Sequence, residues 1–395
     1  MLKRTVDDVD VTGKRVLLRV DFNVPLDRNT GAISDDSRIR ASLPTIEYLV
    51  NHKAKVIVCS HLGRPKGKVV EKLRLAPIAQ RLPQLMGVPV ATAPDCVGQE
   101  VEGQAGALKE GGILVLENLR FHPGEEANAP DFAQRLARLA DIYVNDAFGT
   151  AHRAHASTVG VAKHLPAVAG FLMAKELTVM GELLHNPEQP FACLIGGAKV
   201  SDKIGLLQSM LRKVDMLLVG GGMAATFLKA QGHEVGRSPI EEDRLGLAGE
   251  LLREAEERQV PLLLPIDAVV TEEIKAGAPT RVVPTTDIPS DSYVVDIGPK
   301  SIELFRGKLK GCRTVIWNGP MGIYEILQFA QGTRSLASFL ATLNATTVIG
   351  GGSTAEAVQE MGLTDKMTHV STGGGASLRF LEGAVLPGVE VLLDK

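Results

Sequence analysis

Arg38, His61, Arg64, Arg120 and Arg153 lie in separate segments of the first half of the sequence. Guanidinium groups grip phosphate and carboxylate oxygens in pairs, so their convergence would form a pocket for a small polyanion. The second half offers anion chemistry of another kind, in clusters of bare backbone. These are Gly196-Gly197-Ala198-Lys199, Gly220-Gly221-Gly222, Asn318-Gly319-Pro320, Gly350-Gly351-Gly352 and Gly373-Gly374-Gly375. Glycine lets the main chain approach a phosphate, and a helix starting there points N–H groups and its positive end at the anion. Lys199 and Lys203 stand four apart, so a helix beginning beside them would put both ammonium groups on one face. There they could meet a nucleotide's phosphates and a phosphoryl group in transit.

Each feature has a plainer alternative: solvated arginines, a solvated lysine pair, or tight strand-to-helix turns with no ligand. Neither strand ends nor glycines alone decide among nucleotide folds. No Gly-x-x-x-x-Gly-Lys-[Ser/Thr] run occurs, because Gly63–Lys68 has the wrong spacing and continues with Val69. Gly220–Ala225 and Gly350–Ala355 do read Gly-x-Gly-x-x-Ala, which keeps a dinucleotide-dependent oxidoreductase open. That alternative leaves the arginines unexplained. His152 and His155 lack a third ligand at sensible spacing, which argues against zinc.

Positioning these residues calls for an α/β framework. Short β-branched runs alternate with helical patterns, as in parallel sheets with crossover helices. Strands are expected at 15–20, 54–59, 112–116 and 141–144, then at 191–195, 214–219, 260–265, 313–317, 346–349 and 367–370. Most of the singled-out residues follow directly on these strands, where open α/β sheets bind ligands. A helical pattern over 170–184 lies between the two sets and suggests two domains joined by a helix. The net charge of −3 is uneven: residues 1–170 carry 22 basic against 19 acidic groups, residues 171–395 carry 21 against 27. At 45% apolar residues the chain is no disordered protein, and its charge balance does not suit a dedicated nucleic-acid binder. The N-terminal residues do not read as a signal peptide, and no apolar run approaches a bilayer span. Cys59, Cys96, Cys193 and Cys312 are scattered and read as reduced thiols, so a cytosolic protein is expected.

Several segments resemble the signatures of phosphoglycerate kinases. They are Arg19–Pro25, Ser60–Pro65, Glu117–Phe121, Asn145–His155, Gly196–Val200, Trp317–Gly322 and Ser371–Ser377, in order along essentially the whole chain. The resemblance implies two Rossmann-like domains with parallel-sheet cores facing across a cleft. It divides the chain into a substrate domain over 1–169 with 380–395 packing back on it, a hinge helix over 170–184, and a nucleotide domain over 185–379. By motif position, 3-phosphoglycerate or 1,3-bisphosphoglycerate would meet Asp21, Phe22, Asn23, Arg38, His61, Leu62, Gly63, Arg64, Arg120 and Arg153. ADP or ATP would meet Gly197, Lys203, Gly221, Gly222, Asn318, Glu325, Gly351, Gly352, Ser353 and Thr354. Arg38, Lys199 and backbone N–H groups of Gly373 and Gly374 would stabilise the transferring phosphoryl group.

The implied chemistry suits a sequence without a nucleophile-and-base motif. A carboxylate and a phosphate oxygen are both ionised near neutral pH, so alignment and charge neutralisation are the task. The resemblance further implies Mg²⁺ with the nucleotide, domain closure and a monomer. One position departs: the family usually reads Gly-Gly-Gly-Asp, whereas Ser353 stands here in place of the aspartate. A serine hydroxyl is a weaker ligand than a carboxylate, so Mg²⁺ would be held mainly by nucleotide phosphates, with Ser353 contributing directly or through water. Arg379-Phe380 and Tyr324 are smaller departures.

Overall fold

A computed structural model of the chain describes residues 3–27 and 29–395. These fall into two compact units, Met1–Thr178 with Val385–Lys395, and Val179–Ala384.

In the first unit the strands are β1 (Arg15–Arg19), β2 (Lys55–Cys59), β3 (Val90–Thr92), β4 (Ile113–Val115), β5 (Ile142–Asn145) and β6 (Ala167–Ala169). They form one parallel sheet in the order β3-β4-β2-β1-β5-β6. β1 is central: Arg19 stands level with Cys59 of β2 and Asn145 of β5. The segments leaving β1, β2 and β5 therefore start side by side. Val16, Leu18, Val56, Val58, Ile113 and Val144 form one buried cluster on one face, and Leu17, Ile57, Leu114 and Tyr143, which alternate with them, are buried as well, as expected of strands covered on both faces. The helix Ser37–Asn51 packs on this cluster through Ile39, Ile46 and Leu49, a spacing that lines one helical face. Fully burying each such side chain contributes roughly 1.5–3 kcal/mol. That packing fixes Arg38 in the helix's first turn, beside the loop that leaves β1.

In the second unit β7 (Phe191–Ile195), β8 (Met216–Val219), β9 (Leu262–Leu263), β13 (Thr314–Asn318), β14 (Thr346–Gly350) and β15 (His369–Val370) pair in parallel. Their order is β15-β14-β13-β7-β8-β9. A separate antiparallel sheet joins β10 (Asp267–Thr271), β11 (Arg281–Pro284) and β12 (Tyr293–Ile297) in the order β11-β10-β12.

All ten strands expected from the sequence are present, with ends shifted by at most two residues. β3, β6 and the antiparallel sheet were not anticipated. β3 and β11 are mostly exposed, and β6 reads Ala-Val-Ala, with a single β-branched residue. The helix expected over 170–184 runs Phe171–His185. Its start is held by the buried Asp146, whose Oδ1 accepts from the N–H groups of Leu172 at 2.9 Å and Met173 at 3.3 Å. The chain's last residues belong to the first unit: Lys3 Nζ donates to Leu392 O at 2.8 Å, and Gly388 N to Ala151 O at 2.8 Å. Among the described residues no helix is long and apolar enough to cross a membrane.

Candidate functional site

In the first unit the loop after β1 presents Asp21 to Arg38, and Arg38 Nη1 is ion-paired with Asp21 Oδ2. His61, just beyond β2, lies with Nδ1 3.9 Å from Asp21 Oδ1. Burial would raise the Asp21 carboxyl, but the Arg38 and Arg19 guanidiniums outweigh it and hold the group below the usual carboxylate range. His61 is shifted in the opposite sense from a free imidazole. Burial, helped by Arg19, Arg120 and Arg38 and opposed by Asp21, pushes it well below 6.5, so the ring is neutral at pH 7.

Arg120 sits in a short 3-10 turn after β4 and is 4% exposed. Its Nη1 donates to Gly63 O at 2.8 Å, whereas Nε, 3.3 Å from Glu126 Oε1, makes no hydrogen bond. Burial lowers its pKa, with Arg19 and Arg153 adding like charge. A buried guanidinium crowded by others has strong electrostatic reason to take an anion. Asn23 braces the opposite side, its Oδ1 accepting from Gly63 N at 2.8 Å. Asp21, Asn23, Arg38, His61 and Arg120 thus come together, and Arg153 is close enough to bear on Arg120. Arg153 Nε also lies 3.3 Å from His152 Nε2, while His155 Nδ1 faces Glu125 Oε1 at 3.8 Å, so the histidine pair is not one ligand set. Arg64 is exposed on the loop that carries His61.

Three of the expected substrate residues are otherwise engaged. Phe22 and Leu62 are core side chains, 0% and 2% exposed. Phe22 N donates to Ser60 Oγ, and the Leu62 peptide groups bond the side chain of Asn118. The Gly63 N–H and C=O are taken by Asn23 and Arg120. All three shape the loops that carry Asp21, Asn23, His61 and Arg64. Arg19, Glu125 and Ser157 were missed: all are at 0% exposure within or beneath this cluster. A strand-end arginine followed by Asp21 was the one available signal, because the partners of Arg19 are remote in sequence.

In the second unit a cavity of 390 Å³ is lined by Gly197, Gly221, Gly222, Glu325 and Ser353, among others. Residues of β10 and β12, Ala268 and Val294–Ile297, close one side of it, so the unanticipated antiparallel sheet is part of the pocket. The turns around it lock together through backbone. Gly197 N donates to Pro320 O at 2.9 Å, and a Cβ on Gly196 would stand 2.2 Å from Pro320 O. Such glycines are required by loop packing whether or not a ligand binds. Gly351 differs: at φ +85° it turns the chain into the helix Gly352–Glu360, and Gly352 faces open space.

Asn318, at the end of β13, is 1% exposed. Its Oδ1 accepts from Lys203 Nζ, while its Nδ2 beside Gly350 has no hydrogen-bond partner. Trp317 Nε1 donates to Gly319 O at 2.7 Å and fixes the next turn. Thr354 is buried and its Oγ1 accepts from Gly319 N at 2.7 Å, so it joins two turns instead of facing the pocket. The expected helical face bearing Lys199 and Lys203 does not form. The helix starts at Ile204 after a turn at 201–203, leaving Lys199 exposed and Lys203 half-buried with its pKa lowered by burial. Glu325 is exposed at the pocket's edge. Gly373 N donates to Ser371 Oγ at 3.1 Å, so that N–H is already engaged; Gly374, at φ +50°, opens the helix Gly375–Leu381.

Whether these residues suit a divalent cation follows from their donor set. The Lys203 ammonium, the Asn318 amide nitrogen and the N–H groups opening the helix Gly352–Glu360 all favour an anion. Ser353 offers one exposed hydroxyl and no carboxylate. A divalent ion carried by the ligand's own phosphates fits; one caged by protein does not. Among the described residues a potential metal-ligating triad, Asp95, Cys96 and His122, occurs in the other unit. There His122 Nε2 already lies 2.6 Å from Asp95 Oδ1, and burial raises the Cys96 thiol pKa.

Residues 6–384 match the family model for phosphoglycerate kinase. A phosphoglycerate kinase of Pelotomaculum thermopropionicum is 56% identical over 395 residues, covering 100% of both chains. One from Dictyoglomus turgidum is 57% identical over 399 residues, also at 100% coverage of both. Among solved structures, the phosphoglycerate kinase of Coxiella burnetii superposes with a TM-score of 0.87 at 40% identity, covering 98% of each chain. That of Pyrococcus horikoshii OT3 gives 0.88 at 33% identity, covering 99% of this chain and 98% of its own.

Proposed function

The chain belongs to the phosphoglycerate kinase family, and on that footing we propose that it transfers a phosphoryl group reversibly between 1,3-bisphosphoglycerate and Mg-ADP, giving 3-phosphoglycerate and ATP. A terminal oxygen of ADP forms the new P–O bond. The bond to the acyl oxygen breaks, and its electron pair leaves with the carboxylate of 3-phosphoglycerate. No proton need move, which agrees with a site that offers arginines and N–H donors and no activated base.

Asp21, Asn23, Arg38, His61, Arg120 and Arg153, with the exposed Arg64, serve the phosphoglycerate. Lys203, Asn318, Ser353 and the Gly197, Gly221–Gly222 and Gly351–Gly352 turns serve the nucleotide, with Glu325 at the pocket's edge. Arg38, Lys199 and the Gly374 N–H neutralise charge spreading over the phosphoryl oxygens in transit. Bound Mg²⁺ supplies further neutralisation on the nucleotide's phosphates. The two ligands must reach bonding distance, so closure of the two units belongs to the cycle. We extend the reading to a monomeric, cytosolic enzyme of glycolysis; its four cysteines are free and buried, as a reducing compartment allows.

The observation that carries this reading is the gathering of Arg38 and His61 at Asp21, with Arg120 bearing on His61, beyond the carboxyl ends of β1, β2 and β4. Steady-state turnover with 3-phosphoglycerate and Mg-ATP, with ADP release followed by a coupled reaction, tests it. ATP consumption that depends on 3-phosphoglycerate supports it. A folded protein that shows none and binds NAD would overturn it in favour of an oxidoreductase.

A further inference from the structure

Beneath the Asp21–Arg38–His61 cluster runs a buried chain of hydrogen bonds that the transfer reaction leaves unused. Arg19, the last residue of β1, is fully buried. Its Nε donates to Ser157 Oγ at 2.9 Å, its Nη1 to the backbone oxygen of Val20, and its Nη2 lies 3.2 Å from His61 Nδ1. Ser157 is bound in turn by Glu125: Oγ lies 2.6 Å from Glu125 Oε1, and Ser157 N donates to Oε2 at 2.9 Å. Glu125 and Ser157 are both at 0% exposure. Tyr143 OH closes the group, donating to Ser157 O at 2.7 Å.

Valence places the hydrogens. A guanidinium has donors and no acceptor, so Ser157 Oγ and His61 Nδ1 both accept from Arg19. The Ser157 hydroxyl then has its single hydrogen left for the Glu125 carboxylate. A neutral imidazole that accepts at Nδ1 carries its own hydrogen on Nε2. Arg19 thus donates from one nitrogen to His61 and from another to Ser157, and Ser157 donates in turn to a carboxylate from a distant segment, so the chain links His61 to Glu125.

We propose that Glu125, acting through Ser157 and Arg19, is the positioning residue that holds His61 in the tautomer with its hydrogen on Nε2, making it a fixed donor to the anionic substrate. The identity of that substrate rests on the proposed function; the tautomer does not. The groups facing His61 are Asp21, Arg19, Arg38 and Arg120. Three of the four are cations, so a second proton on the ring is opposed, and His61 serves the anion by its N–H dipole without titrating near neutrality. Without Glu125 and Ser157, the Arg19 guanidinium would keep only its Nη1 bond to the backbone oxygen of Val20 to orient the edge it turns to His61.

The direct test uses the whole protein with isotopically labelled histidine and long-range proton–nitrogen NMR, the His61 signals being assigned by their loss in His61→Asn. In the parent protein we expect a protonated Nε2 and an unprotonated Nδ1 between about pH 5.5 and 8, with no titration. Ser157→Ala should move the two nitrogen shifts toward a mixture of tautomers. It should also raise KM for 3-phosphoglycerate about tenfold, the loss of one charge-assisted hydrogen bond, with kcat unchanged. Ser157→Thr, which keeps the hydroxyl, should retain the parent spectrum. A parent spectrum showing hydrogen on Nδ1, or a ring that titrates near 6.5, overturns the proposal and needs no variant. So do folded Ser157→Ala and Glu125→Gln proteins with the parent's His61 spectrum. The expected spectrum in a protein that does not turn over 3-phosphoglycerate would sink the substrate assignment and leave the tautomer lock standing.

Discussion

The side-chain oxygen of Asn318 accepts the hydrogen bond of the Lys203 ammonium, while its amide nitrogen, buried beside Gly350, has no partner. A buried donor left unmade costs about 1–3 kcal/mol, so the unpaired N–H fits a site awaiting an acceptor such as a phosphate oxygen. Asn318→Ala should weaken ADP binding by about tenfold or more and leave 3-phosphoglycerate binding unchanged, which calorimetric titration of each ligand would show. Equal loss for both ligands would point to a folding defect.

Arg38 carries the largest share of the chemistry proposed for the first unit. Arg38→Ala should lower kcat about 10²–10³-fold, the usual effect of removing one electrostatic stabiliser. Near-normal turnover would refute the role. Because Arg38 is also the ion-pair partner of Asp21, the variant should raise the Asp21 pKa, and carboxylate NMR provides that second readout.

At Ser353 the expected change is in metal dependence. A carboxylate there would add the ligand Mg²⁺ prefers to a hydroxyl. Ser353→Asp should lower the Mg²⁺ concentration needed for half-maximal ADP binding, measured by calorimetry at fixed ADP. An unchanged titration means position 353 lies outside the metal's reach.

Asp296 lines the 390 Å³ cavity of the second unit, accepts from Gly332 N at 2.7 Å and Ile297 N at 2.9 Å, and is pushed by burial from 3.8 up to about 7. Between those pH values the folded chain keeps a proton that the unfolded chain releases. This group's contribution to stability therefore falls as pH rises through the window, and the loss is complete above about 7. Asp296→Asn removes the effect. Its stability relative to the parent should improve from pH 4 to pH 7, by at most about 1.4 kcal/mol per unit, in denaturant titrations. A constant difference would show that Asp296 titrates as an ordinary aspartate.

Much of this architecture is legible in the sequence because its central strands are buried on both faces. Runs such as Val16–Leu18 and Ala192–Ile195 announce themselves, and the residues that follow mark the ligand side of each sheet. The antiparallel sheet escapes such a reading: β10 and β12 are Val-rich and as long as β1, but neither is followed by a glycine cluster or a charged motif of the kind that marks the other strands, and β11 is mostly exposed. Site residues divide in the same way. Arg38, His61 and Arg120 can be picked out by type and place, whereas the motifs do not reveal that Phe22, Leu62 and Thr354, which they also contain, are buried. Glycine composition could not separate Gly196, forced by Pro320, from Gly352, which faces open space. Lys199 and Lys203 show the limit of spacing arguments, because their relation depended on a helix that begins later. Glu125 and Ser157 reach Arg19 only through tertiary contact, and no local pattern foretells them.

The most direct measurement of the central claim is phosphorus NMR of the purified protein mixed with 1,3-bisphosphoglycerate and Mg-ADP. The account predicts that the acyl-phosphate resonance is lost as the terminal phosphate of ATP appears, with no more inorganic phosphate than a protein-free control releases. An acyl-phosphate signal that persists, or that decays to inorganic phosphate without ATP forming, would contradict it.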